Sequence, residues 1–202
     1  MEINRKTNKV VQNKQFELFS TIETFSDNFI LKDNLKHNYD SIMDWRNKIY
    51  EHQKNIFKEK NNLYKKKSLI SFRDDDLDGI NPFKLKSFSI NFWRSNKSIH
   101  QGAAMYFVVD TLGDKKIILY IGETNSADNR WKGVHDCKNY INNYRESLAS
   151  TNIKNHLDIR FYFDVPQEVK FRRKLEQKLI YLWLPPFNKE TRDRWSTTFT
   201  NN

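Results

Sequence analysis

The stretch ILYIGET, residues 118–124, sets four apolar side chains before Gly122, Glu123 and Thr124. Such a run, rich in β-formers and ended by a glycine, reads as a buried strand. Whether Tyr120 and Gly122 are ordinary strand-end residues or parts of a site decides how the rest is read. Upstream, AMYFVVD (104–110) is a second β-rich run. Between the two lies TLGDK (111–115), whose Gly113 and polar neighbours suit a hairpin turn. Downstream, ADNRWKGVHDCKNYINNYRESL (127–148) carries a helical pattern interrupted by Gly133. HLDIRFYFDV (156–165) alternates and predicts a third strand. PQEVKFRRKLEQKLIYLWL (166–184) predicts a helix with Pro166 in its first turn and Pro185-Pro186 as its stop. The order from about residue 100 is therefore β-β-α-β-α.

The N-terminal third is different. Residues 1–14 are polar and basic and read as a frayed tail. QFELFSTIETFSDNFIL (15–31) spaces its apolar residues by three and four, a helix with one apolar face. A second helix runs through IMDWRNKIYEHQKNIFKEKNNLYKK, with Ile42, Trp45, Ile49, Ile56 and Phe57 on one face and Asp40 or Ser41 as its cap. RDDDLDG contains the first half of a calcium loop, D-x-D-x-D-G from Asp74, but position 12 is Leu85 rather than a bidentate Glu, so it reads as a turn region. FKLKSFSINFW (83–93) alternates and reads as strand or extended chain. The expected organisation is α+β: a helical N-terminal extension (1–67), a connector (68–99), and a small antiparallel sheet domain (100–202).

With 202 residues and 38% apolar content the chain can bury one core. Aromatics at 14% argue against a disordered chain. No window is apolar enough to span a membrane, and the N-terminus lacks the apolar centre of a signal peptide. The single Cys137 excludes an internal disulfide and predicts a reducing, cytoplasmic setting. A net charge of +10 points to a polyanion, above all nucleic acid. From Lys54 to Lys67 there are six lysines and one acid, a run that suits either a phosphate backbone or a solvated helix face.

The order of elements and the residues on them resemble the GIY-YIG nuclease family over residues 104–190. Tyr120-Ile121-Gly122 matches the second motif without change, 14 residues after Tyr106. Ala104-Met105-Tyr106 stands for the first motif, with Ala in place of its Gly. Arg130 follows Gly122 by eight residues, where the family has an arginine opening a helix. His135 is one residue further along than the family's histidine, Glu176 suits its metal-binding glutamate, and Asn188 in PPFNK suits its last motif.

The resemblance implies a metal-dependent DNA endonuclease hydrolysing phosphodiester bonds, structure-directed or site-specific. A catalytically silent nucleic-acid-binding protein is the alternative, and the Ala at 104 is what favours it. The chemistry suits these side chains. Glu176 is a hard oxygen ligand for Mg²⁺ or Mn²⁺. Arg130 offers a planar fork to a phosphate. The resemblance makes Tyr106 the proton acceptor, Tyr120 an orienting hydroxyl, Asn188 a hydrogen-bonding tie, and His135 a candidate for proton transfer. Lys65, Lys66, Lys67, Lys132, Arg172 and Arg173 are the candidate phosphate contacts. Phe161, Phe163, Leu175, Leu179 and Leu182 read as core, and Trp131 and Trp195 as packing residues. Recognition sequence, biological role and oligomeric state are not written in these residues.

Overall fold

A computed structural model of the chain describes residues 38–65, 80–94, 98–132 and 135–200. The expected helix at 15–31, the Asp/Gly turn at 74–79, Lys66 and Lys67, and the side chain of Lys65 lie outside the described residues. Helix α1 (Tyr39–Lys65) leads to strand β1 (Ser87–Ser89), the hairpin β2 (Ala104–Leu112) and β3 (Lys115–Thr124), the short helix α2 (Ala127–Arg130), α3 (Asp136–Ser150), β4 (His156–Tyr162) and α4 (Val169–Trp183). The fold is α+β, with one antiparallel sheet in the order β1-β4-β2-β3.

Local chemistry sets the element ends, in places not where the sequence suggested. α1 is capped by Asn38, whose Oδ1 accepts the Ser41 N–H at 3.2 Å, rather than by Asp40 or Ser41. Gly113 takes φ 60° at the first position of the two-residue hairpin loop, a conformation that favours glycine. α4 begins at Val169, with Glu168 as N-cap, so Pro166 lies before the helix rather than in its first turn. It ends at Leu184 in the left-handed region (φ 46°), and two prolines follow. The stretch read as one interrupted helix holds two, α2 and α3, and the expected interruption at Gly133 lies outside the described residues.

The sheet has a fourth strand that the β-β-α-β-α reading lacks. Ser87–Ser89, in the expected connector, pairs with Asp158–Arg160 of β4. Both sheet faces are covered. On one, Ala104, Tyr106, Val108, Ile117, Leu119, Ile159 and Phe161 pack against Ile42, Trp45 and Ile49 of α1 and Tyr140, Ile141, Tyr144 and Leu148 of α3. On the other, Met105, Phe107, Val109, Ile118 and Ile121 meet Leu175, Leu179, Ile180 and Trp183 of α4 and Ile56 of α1. α1 thus contributes to both clusters, and it contacts β3 and α4. This covers the edge strand β3, whose unpaired backbone would otherwise invite another chain.

The same helix carries charge into the core. Arg46 is buried and pairs with the buried Asp110 of β2, which also accepts from the Tyr144 hydroxyl at 2.7 Å and Asn155 Nδ2 at 2.7 Å. A buried carboxylate needs such partners. Phe163, expected in the core, is exposed beside His100; its stretch comes after β4 has ended. Among the described residues no helix is long and apolar enough to cross a membrane.

Candidate active site

The two strands of the hairpin do not run in simple register. Val108 pairs with Tyr120 and Val109 with Ile118, so Leu119 is an extra residue on β3. A bulge of this kind changes the phase of a strand. Ile117 and Leu119 face the α1/α3 side before it; beyond it Tyr120 takes that side and Ile121 the other. Tyr120 is thereby brought beside Tyr106, with ring centroids 5.9 Å apart and planes 24° from parallel.

Gly122 lies directly across from Tyr106. A Cβ built on it would fall well inside 3.0 Å of Tyr106 Cζ and Oη, and 2.8 Å from Cε1. The glycine of YIG is therefore a seat for the phenol. No turn is involved, and its backbone needs no positive φ. Ala104 is buried on β2 opposite Thr124, with no positive φ either, so alanine fits this strand position.

The Tyr106 hydroxyl is the hub of the site. It lies 2.8 Å from His135 Nε2. His135 is the N-cap of α3, and its Nδ1 accepts the Cys137 N–H at 3.0 Å. A neutral imidazole whose Nδ1 accepts must carry its proton on Nε2, so Nε2–H donates to Tyr106. Burial, with the Arg130 charge adding to it, pushes the His135 pKa down to about 4. The ring lies flat on Trp131, 5.5 Å between centroids and 19° between planes. His135 is then a fixed, neutral donor at neutral pH. The Arg130 charge and the Tyr120 hydroxyl lie near the same phenol. Burial raises the Tyr106 phenol above its ordinary range and outweighs the pull of both. Tyr106 is 0% exposed and keeps its proton at neutral pH. Tyr120 is raised too, by burial first and Tyr106 second.

Across from these hydroxyls stands Glu176 of α4. It is half-buried, and its Oε1 accepts the Glu123 N–H at 3.1 Å. Burial, then the neighbouring Glu123 and Glu190 charges, push its pKa up to about 7, against the Glu123 N–H bond and Arg130. Such a carboxylate lies in a site short of positive charge.

Arg172, expected to contact phosphate, does not supply that charge, because it is 0% exposed and spent on structure. Its Nε donates to Glu123 Oε2 at 2.7 Å, its Nη1 to the Pro166 and Gln167 carbonyls at 3.0 Å each, and its Nη2 to Asn125. It holds the entry to α4 against the end of β3. Arg173 is exposed and lies 3.6 Å from Glu123 Oε1, and Lys132 is exposed.

Asn188 acts on backbone. Its Oδ1 accepts the Ile121 N–H at 3.0 Å and its Nδ2 donates to the Ile121 carbonyl at 2.8 Å, as a neighbouring strand would. Phe187 N–H adds a bond to the carbonyl of the bulge residue Leu119, at 2.9 Å. Sequence reasoning missed a second such clamp. Gln53 of α1, fully buried, accepts the Ile118 N–H at 2.7 Å and donates to the Ile118 carbonyl at 3.0 Å and the Trp183 carbonyl at 3.1 Å. The signal was present: Gln53 falls on the Ile49/Ile56 face of an otherwise apolar stripe.

Together these elements line a cleft of about 330 Å³. Tyr120, Arg130, His135, Glu176 and Asn188 all line it, with Glu190 and Lys189 at its side. Tyr106 is absent from the lining and reaches it through Tyr120, Arg130 and His135. Trp131 is buried behind His135, and Trp195 donates to the Leu184 carbonyl at 2.6 Å, so both are packing residues. No family model, no curated protein and no solved structure matches the chain.

Proposed function

We propose that this cleft is the active site of a metal-dependent DNA endonuclease of the GIY-YIG kind. One observation carries the reading: five residues chosen from motif order alone, spread over 69 positions from Tyr120 to Asn188, line one cleft, and the sixth, Tyr106, hydrogen-bonds to His135 and stacks on Tyr120 behind it. The alternative of a silent binding protein loses its support at Ala104, which sits in ordinary strand backbone.

Glu176 fits a divalent cation by its donor chemistry and by its shortage of positive charge. No cluster of three or more His, Cys, Asp or Glu side chains able to hold a metal occurs among the described residues, so Glu176 would hold the ion with water completing its shell. When bound, Mg²⁺ or Mn²⁺ neutralises phosphate charge and assists the leaving oxygen. Arg130, at the cleft rim, presents its donors to the scissile phosphate. Burial works against the Arg130 charge, but its surroundings, the Glu123 carboxylate among them, outweigh it, and the guanidinium stays charged. Tyr120 orients the attacking water at the cleft wall. The His135 N–H bonds to the Tyr106 oxygen and the Arg130 charge lies near it, which lowers the cost of a phenolate there. His135 holds Tyr106 through Nε2–H; with its proton on that nitrogen and its pKa near 4 it is a donor rather than a base.

The test is incubation with plasmid, single-stranded and branched DNA, with Mg²⁺ and with chelator, for the wild type and for Glu176→Gln. Cleavage is expected with Mg²⁺ only, abolished in the variant while DNA binding persists. Binding without cleavage in every condition would leave the silent reading in place.

A further inference from the structure

α4 has two sides of opposite character. Leu175, Leu179, Ile180 and Trp183 are buried in the core, and Glu176 looks into the cleft. On the other side lie Lys170, Phe171, Arg173, Lys174, Lys178 and Tyr181. Lys178 is half-buried and the rest are exposed. This side carries four cations, and the only acid within Val169–Trp183 is the cleft-facing Glu176. Phe171 is 55% exposed and Tyr181 63%, two of the four most exposed large apolar side chains among the described residues. A solvated lysine face has no need of two exposed rings. Rings interleaved with cations are what an unpaired nucleic-acid strand meets on a protein surface: charge for the phosphates, π-faces for the bases.

The placement suits a substrate strand. At 1.5 Å per residue, the ten steps from Phe171 to Tyr181 span about 15 Å, or about four nucleotide steps at 3.4 Å. Around the helix, Arg173 stands between this face and Glu176, so the surface runs into the cleft. From the charge and the two rings we infer that the outer face of α4 binds a single-stranded segment of DNA leading into the cleft. This rests on the nuclease reading and makes it more specific: the substrate carries unpaired nucleotides next to the cut.

The test is equilibrium binding of the full chain, in chelator, to labelled single-stranded, forked and duplex oligonucleotides across a salt series. Phe171→Ala/Tyr181→Ala is expected to weaken single-strand and forked binding by about tenfold or more, with the salt slope unchanged and duplex binding little affected. Lys170→Gln/Lys174→Gln is expected to lower the slope of log affinity against log salt by about 1.4, at about 0.7 per phosphate on a single strand. Both pairs lie at exposed positions, and circular dichroism checks that the fold is kept. Variants that bind like a DNA-cleaving wild type would overturn the inference and leave the nuclease reading standing. An equal loss on duplex from the ring substitutions would overturn it too. A wild type that binds no DNA in any form would remove both.

Discussion

β3 is held at two places by the same chemistry, on either side of one extra residue. Before the bulge at Leu119, the amide of Gln53 satisfies both backbone groups of Ile118. After it, the amide of Asn188 satisfies both backbone groups of Ile121. Both amides are buried, and both replace the neighbour that an edge strand lacks. Their settings differ. Both isoleucines pack into the core against α4, but Ile121 is flanked by Tyr120, which lines the cleft, and by Gly122, the seat of Tyr106. One clamp keeps the molecule together, and the other fixes where two hydroxyls point. An identical interaction thus acquires a structural or a functional meaning from which half of the strand it grips.

Replacing each amide tests that contrast. Asn188→Ala should lower cleavage about 100-fold or more, since a shift of about 1 Å at a reacting group costs that much. Gln53→Ala should leave cleavage within about threefold below its melting temperature and lose about 2–4 kcal/mol in urea denaturation, the cost of stranding buried donors and acceptors. The contrast breaks if the two variants lose activity equally at matched fraction folded.

A sharper probe of the site half is Gly122→Ala, which drives a methyl into the Tyr106 ring. Overpacking of this kind costs about 1–3 kcal/mol. Tyr106→Leu in the same chain should recover part of that stability, because the smaller side chain vacates the seat. Strict additivity of the two changes in a double-mutant cycle would show that the ring and the methyl do not meet.

The smallest effect concerns Glu176 in the metal-free protein. Its folded pKa of about 7 lies above its ordinary value of 4.5, so between those values the folded chain holds the extra proton. Stability from this group is full below about 4.5 and is lost as pH rises through 7. Glu176→Gln, which cannot ionise, should melt level with wild type near the low end of that window. At pH 8 it should melt about 2–4 °C higher, corresponding to about 1 kcal/mol after allowance for partial exposure. Mg²⁺ should close the gap by stabilising wild type alone. A gap constant across pH would mean that Glu176 is not held short of charge, and the site half of β3 would then face an ordinary surface carboxylate.

How much of this was legible follows from which signals have a period. The hairpin, its Gly113 turn and the proline-stopped helix were readable, because turn chemistry and apolar runs are local. Order along the chain was enough to pick Tyr120, Arg130, His135, Glu176 and Asn188, which share one cleft. Polar residues on apolar faces carried only a positional signal, which their charge or amide masks. Arg46 and Gln53 look like breaks in the Ile42/Ile49/Ile56 stripe, yet both are buried. Arg172 looked like a phosphate contact because charge was weighed before position, although it falls on the Leu175/Leu179 side of α4. The bulge had no signal, since residues 117–121 are apolar or aromatic throughout and show no alternation that could slip. β1 falls inside the alternating 83–93 stretch read as strand or extended, while its pairing with β4 had no local signal.

The extra residue at Leu119 also makes β3 a strand that counts. Up to it, odd-numbered side chains face α1 and α3; from Tyr120 on, even-numbered ones do. Loss of Leu119 alone would close the bulge: Ile118 would stay opposite Val109, Tyr120 opposite Val108 and Gly122 across from Tyr106, with every face kept by strict alternation. Loss of a second residue before Tyr120 would slide the strand along β2 and set another residue across from Tyr106. β3 thus holds one residue of slack between its turn and its site, a tolerance to shortening that ends after a single step.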